Sequence, residues 1–282
     1  MKLAPFFHLV LFAATALLAQ AEIPIKSGDK VAFLGDSITQ EGKSSPSGYV
    51  NLVSSALAAN GVKIEVIGAG ISGHKSDQML DRLERDVLSK KPQWMTLSCG
   101  VNDVWHGEKG VSLDDYKKNI TRITDQAQAA GIKVVLLTST MIGEDPKNPN
   151  NLKLVTYNEF LRTLAKEKNL VLADLNAEMQ EAVAKANTPG KNALTGDGVH
   201  MAFPGNKMMA AGILKSLGLD AKELAKAQEA WLDLPDTSSL KFEAKLSQRE
   251  MQQLEKAAAA RGTTAQKLLD EEASKIIQSL KK

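Results

Sequence analysis

The sequence predicts a doubly wound α/β domain: a five-stranded parallel sheet with helices on both faces, followed by a mainly helical extension. Three observations carry this expectation. Between about residues 28 and 218, short runs rich in Val, Ile and Leu alternate with amphipathic stretches. The runs are continuously apolar, as strands buried on both faces require. Each run is followed by a helical pattern, and a repeated strand–helix order closes as right-handed crossovers over a parallel sheet.

The expected strands are Lys30–Gly35, Lys63–Ile67, Trp94–Cys99, Lys133–Thr138 and Leu170–Asp174. The first helix, Tyr49–Asn60, ends at Gly61, a residue suited to the left-handed position after a helix. The second, Asp77–Lys90, gathers Met79, Leu80, Leu83, Val87 and Leu88 on one face. Leu113–Ala130 ends at Gly131, and Leu152–Lys168, Leu175–Ala186 and Pro204–Leu217 complete the set.

Composition fits this reading. Of 282 residues, 43% are hydrophobic and 24% charged, which excludes a disordered, collagen-like or coiled-coil chain. There are 35 basic and 33 acidic residues, a net charge of +2, without the basic excess of a dedicated nucleic-acid binder. The single cysteine, Cys99, excludes an internal disulfide framework and a Cys-rich zinc site. Within its apolar run it reads as a small buried thiol.

The N-terminus reads as an address. Lys2, the apolar stretch Phe6–Ala19 and then Ala19-Gln20-Ala21 before Glu22 have the layout of a cleaved signal peptide. The stretch is short for a membrane span of about 20 residues. Residues 1–21 are therefore expected to direct export to the periplasm or the extracellular space, without stable membrane insertion, and the main domain to cover 22–219. Residues 220–282 change character, becoming rich in Ala, Lys, Glu and Gln. Pro235–Ser239 reads as a linker, and Leu240–Leu246 alternates as a strand does. Ser247 and Glu250 form a capping box for a helix closed at Gly262, and Thr263 and Thr264 open another. Strand–helix–helix resembles a ribbon–helix–helix unit, which implies self-association through 240–282; a helical tail is the alternative.

In a doubly wound sheet, ligands bind at the carboxyl ends of the strands. The first strand runs into Gly35-Asp36-Ser37-Ile38-Thr39, which sets a serine at the rim; a helix-capping serine is the plain alternative. Gly42-Lys43-Ser44 does not complete a phosphate loop, because Ser37 stands where glycine is required. Gly68-Ala69-Gly70-Ile71-Ser72-Gly73 has the spacing of a dinucleotide fingerprint but follows the second strand. The acidic residue that fingerprint needs about 20 positions on falls where Arg85 and Asp86 read as solvated surface. The third strand leads to Gly100-Val101-Asn102-Asp103, and beyond the last strand stands Asp197-Gly198-Val199-His200. A serine needs an adjacent base to act as a nucleophile. His200 can take its proton, with Asp197 three residues away to orient the imidazole.

Four such blocks, in this order and each at a strand end, resemble the GDSL, or SGNH, hydrolase family over about residues 28–218. GDSIT carries Asp36 and Ser37, GISG carries Gly73, GVND carries Asn102, and DGVH carries Asp197 and His200. The resemblance implies a flavodoxin-like sheet, Ser37 as nucleophile, and an oxyanion hole of the Ser37 N–H, the Gly73 N–H and the Asn102 amide. It implies no metal or cofactor. Gly68 departs from the family, whose members often carry Asn there. There is no G-x-S-x-G elbow of the α/β-hydrolase kind.

Members of this family cleave acetyl esters of sugars, lipid esters, thioesters and small aryl esters. An exported chain with no long apolar lid favours a short-acyl ester, acetyl on carbohydrate foremost. Trp105 suits stacking on a sugar ring, residues 143–151 suit a wet carbohydrate rim, and Asp36, His74 and His106 are further candidate contacts. A lysophospholipase or thioesterase is the alternative within the class. A non-catalytic carbohydrate-binding protein on a hydrolase scaffold is the alternative outside it.

Overall fold

A computed structural model describes residues 23–187, 191–234 and 245–280. The expected export signal and residues 240–244 of the expected C-terminal strand lie outside the described residues, and Lys245 and Leu246 form no strand.

The chain runs β1 (Lys30–Gly35), α1 (Ser37–Ser44), α2 (Tyr49–Ala59), β2 (Glu65–Gly70), α3 (Ser76–Asp81), α4 (Leu83–Asp86) and β3 (Trp94–Ser98). It continues with α5 (Val101–Trp105), α6 (Leu113–Ala129), β4 (Lys133–Leu137), α7 (Pro149–Glu167) and β5 (Val171–Ala173). The last elements of this compact unit are α8 (Leu175–Ala186), α9 (Phe203–Ser216) and α10 (Ala221–Ala230). The five strands form one parallel sheet in the order β2-β1-β3-β4-β5, the flavodoxin-like order the sequence predicts. Helices α1, α2, α8, α9 and α10 pack with one another on one side, and α3, α6 and α7 on the other. Between these layers Phe33, Leu34, Met95, Leu136 and Leu137 are fully buried.

The structure departs from the expected elements in three places. Strand β2 extends through Gly68, Ala69 and Gly70, which read as loop; there they pair with Phe33, Leu34 and Gly35. A parallel ladder satisfies backbone N–H and C=O whatever the side chain, so glycine does not end it. The helix expected over 77–90 breaks at Arg82 into α3, α4 and a 3-10 turn at Leu88–Lys90. Finally, α1 and α5 occupy the GDSIT and GVND segments, so both motif residues open helices.

Helix α10 packs against α2. The following Trp231 is fully buried, with Nε1 donating to the Leu52 carbonyl and to Ser55 Oγ, each at 3.2 Å. Among the described residues the compact unit therefore includes α10 and runs on through Leu234. The second unit holds α11 (Gln248–Ala260) and α12 (Ala265–Ser279). Ser247 and Glu250 form the expected capping box on α11, and the Thr264 hydroxyl caps α12. Ala258 and Leu268 are buried, whereas Ile276 and Ile277 are exposed.

Removing the indole should be costly at such a site. Trp231→Ala is expected to lower the unfolding free energy by about 3–5 kcal/mol, read from the urea midpoint followed by circular dichroism.

Candidate active site

Asp36 is the N-cap of α1, with Oδ1 accepting the Ile38 N–H at 3.0 Å, and Ser37 is the first helical residue. A first-turn N–H has no acceptor within its own helix. Among the described residues the Ser37 N–H makes no hydrogen bond. It thus stands free beside its own hydroxyl, at the positive end of the helix dipole.

The hydroxyl faces a second pair of residues. His200 Nε2 lies 2.9 Å from Ser37 Oγ, and His200 Nδ1 lies 2.6 Å from Asp197 Oδ2. The other Asp197 oxygen accepts the N–H of Val199 at 2.9 Å and of His200 at 2.8 Å. An ionised carboxylate only accepts, so Nδ1 carries the proton and neutral His200 offers a lone pair at Nε2 to the serine. Partial burial works to raise the Asp197 carboxyl, but the His200 ring and the two backbone N–H groups outweigh it and hold it at about 2. Partial burial works to lower the imidazole. The Asp197 hydrogen bond, the Glu41 carboxylate 3.9 Å from Nε2 and Asp36 together raise it above its ordinary value.

The loops after β2 and β3 come to the same edge. Asn102 is buried, and its Nδ2 donates to the His74 carbonyl at 3.2 Å, next to the Gly73–His74 peptide. Gly73 has φ +75°, a conformation costly for residues with a Cβ, and its N–H is unpaired among the described residues. Gly100 precedes α5 with φ +132°, and a Cβ there would meet Ser139 Oγ at 2.2 Å. Asn102 is thus delivered by a turn that only glycine permits.

Two buried charged side chains, both missed in the sequence, tie these loops together. Arg82 donates to the Gly35 and Ala69 carbonyls, each at 2.8 Å, to Asp86 at 3.0 Å and to His74 Nδ1 at 3.2 Å. Asp103 accepts from the Ser76 N–H at 3.0 Å and hydroxyl at 2.6 Å, and from Cys99 Sγ at 3.4 Å. Burial pushes the Asp103 carboxyl and the Cys99 thiol up. The signal for Arg82 was present: it follows Met79 by three and precedes Asp86 by four, on the apolar face of the helix. Asp86, read as solvated surface, is its ion-pair partner.

The expected substrate contacts separate. Asp36 is buried beneath α1, where burial pushes its carboxyl up to about 7, so it does not line the open site. The His74 Nδ1 is taken by Arg82, and burial followed by the Arg82 charge lowers its imidazole. Trp105 stands 46% exposed at the end of α5, and His106 closes that helix, with Nδ1 2.8 Å from the Asn102 carbonyl. Within the expected polar rim, Asp145, Pro146 and Lys147 are exposed, but Asn151 is buried and Glu144 turns inward to residues 193–195. Among the described residues no group of three His, Cys, Asp or Glu side chains is placed to hold a metal ion.

A model of the GDSL-like lipase/acylhydrolase family matches residues 33–208. An acetylxylan esterase of Geobacillus stearothermophilus is 30% identical over 215 residues, which are 70% of this chain and 97% of that protein. The crystal structure of that esterase, Axe2, superimposes with a TM-score of 0.63. The structure of an acetyl xylan esterase called AlAXEase is 37% identical, covers 66% of this chain and 98% of its own, and has a TM-score of 0.63. An uncharacterized lipoprotein of Bacillus subtilis, YqeF, is 25% identical over 189 residues, 56% of this chain and 76% of that one.

Arg82 joins two strand ends and a buried ion pair. Arg82→Met removes the guanidinium's bonds to the Gly35 and Ala69 carbonyls and leaves Asp86 to Arg85 alone, and is expected to cost about 1–3 kcal/mol in urea denaturation. Arg85→Ala, at an exposed side chain on the same carboxylate, should leave the midpoint nearly unchanged.

Proposed function

The chain belongs to the GDSL-like lipase/acylhydrolase family and is a carboxylic ester hydrolase, and we propose that it is an exported serine esterase removing short acyl groups, acetyl foremost, from carbohydrate. The single observation that carries the mechanism is the continuous line from Ser37 Oγ through the His200 ring to Asp197, with contacts of 2.9 and 2.6 Å.

Ser37 Oγ attacks the ester carbonyl carbon while His200 Nε2 takes the hydroxyl proton. Asp197 holds the ring's tautomer and stabilises the imidazolium. The oxyanion receives hydrogen bonds from the Ser37 N–H, the Gly73 N–H and Asn102 Nδ2. Collapse breaks the ester C–O bond, His200 gives its proton to the departing sugar oxygen, which leaves as a hydroxyl, and the acyl group stays on Ser37. Water then attacks the acyl-serine as His200 takes one of its protons; collapse passes that proton to Ser37 Oγ and frees the carboxylic acid, which gives its own proton to solvent.

Two observations support the carbohydrate ester. Relatives named as acetylxylan esterases align over almost their entire length. Trp105, exposed at the end of the helix that carries Asn102, offers an indole to a sugar ring. Export is supported by the layout of residues 1–21, in which Lys2 and the apolar Phe6–Ala19 precede Ala19-Gln20-Ala21.

Hydrolysis of p-nitrophenyl acetate, butyrate and octanoate, beside Ser37→Ala, tests this reading. Turnover is expected to fall steeply with chain length and to vanish in the variant. Equal turnover by both proteins would remove the serine mechanism, and turnover rising with chain length would move the substrate to lipids. Asn102→Ala should lower kcat by about 10²–10³. The base must be neutral and its imidazole titrates above the ordinary value of about 6.5. A plot of kcat/KM against pH should therefore rise with pH, with its acid limb above that value.

A further inference from the structure

The loop that carries Asp197 and His200 has no regular secondary structure, yet it must hold an imidazole against Ser37. Its anchor comes from the loop after β4. The Glu144 carboxylate enters a cradle of consecutive donors: Oε2 accepts the Ala193 N–H at 2.6 Å, and Oε1 accepts the Leu194 N–H at 2.9 Å and the Thr195 N–H at 2.7 Å. Oε1 also accepts the Thr195 hydroxyl at 2.6 Å. That hydroxyl in turn accepts the Gly198 N–H at 3.1 Å, inside the Asp197–His200 turn. The Gly143 N–H, one residue before Glu144, donates to the Gly198 carbonyl at 2.7 Å. Residues 143 and 144 therefore grip the turn at its entry and at its centre, while the Gly196 N–H to His200 carbonyl bond closes it.

We propose that Glu144 is a positioning residue, a carboxylate clamp that sets the Asp197–His200 turn against Ser37. This rests on the serine-esterase reading only for its effect on turnover, because the clamp and the imidazole it orients are also observable without substrate. Bonds to an ionised acceptor are the strong kind, and four converge on this carboxylate. Burial works to raise Glu144, but the Thr195 hydroxyl and the three N–H groups prevail and lower it, so the clamp is charged at neutral pH. Polar residues of 143–151 read as a substrate rim; here one of them faces inward and serves the turn from the opposite side.

The test is Glu144→Gln with Glu144→Ala, beside wild type and Ser37→Ala. Glutamine keeps the shape and one oxygen but turns an NH2 group toward the Ala193 N–H, two donors face to face. Two readouts are taken: the His200 imidazole titration by NMR, and the pH profile of p-nitrophenyl acetate hydrolysis. His200 titrates in the field of Asp197 on its own turn, Glu41 on α1 and Asp36 before α1. Both variants leave those three carboxylates in place.

In Glu144→Gln the imidazole is expected to titrate lower, toward its ordinary value, as the turn loosens from Asp197. The acid limb should move the same way, and kcat should fall by about 10- to 100-fold with KM little changed. An unmoved His200 titration in a folded Glu144→Gln overturns the proposal. So does a loss of activity that tracks only the folded fraction, with the acid limb in place. If Glu144→Ala fails to fold, the glutamine variant alone decides. Ser37→Ala separates the failures: turnover surviving there removes the esterase mechanism, whereas an inert Ser37→Ala beside unaffected Glu144 variants removes only the clamp.

Discussion

In-register pairing of β1 between β2 and β3 is the constraint on which the rest of this structure depends. Parallel strands end on the same edge, so each loop leaving that edge starts beside its neighbour's loop. Gly35 pairs with Gly70, and Leu34 pairs with Leu97. The Ser37, Gly73 and Asn102 segments are thereby brought together although 65 positions of chain separate the first from the last. A slip of one residue would turn the buried Phe33 and Leu34 toward the wrong helical layer, so the apolar pattern that folds the sheet also aligns the site.

Much of this was legible before any coordinates. The parallel sheet and both helical layers followed from apolar runs alternating with amphipathic stretches, the flavodoxin-like strand order from the family resemblance, and the motif residues from their position after those runs. What escaped the sequence was long-range and polar. Glu144 has four hydrogen-bond partners about 50 residues away, a pairing with no periodic signature. Arg82 looked like one more charge on an amphipathic helix, because a pattern of 3.6 residues cannot show that a guanidinium will donate to two strand-end carbonyls. The glycines of β2 misled for the opposite reason. They are strong local punctuation, but the backbone ladder with β1 overrides them.

Behind the Ser37 edge the protein tolerates a dense set of buried polar groups: Asp36, Ser76, Arg82, Asn102 and Asp103 are all buried. Such groups are expensive in an apolar interior unless hydrogen bonds replace water. Each has named partners: N–H groups at helix starts, carbonyls at strand ends, one another's side chains and, for Asn102, the loop carbonyl of His74. The polar layer thus fastens the ends of β1 and β2 to the helices that follow β1, β2 and β3. Cys99 belongs to this layer as a protonated thiol leaning on Asp103, and not to the site's chemistry.

The spacing of Asp197 and His200 reaches beyond the present geometry. Two of the three groups that face one another lie within a single tetrapeptide, so their mutual alignment is inherited as a cassette. The exposed tips at Asp145–Lys147 and the far end of α5 lie outside that cassette. A substitution of these exposed side chains leaves both the Asp197–His200 bond and the bonds of Glu144 in place. The pairing of acid with base is thus carried by four adjacent residues, separable in the sequence from the exposed loop tips.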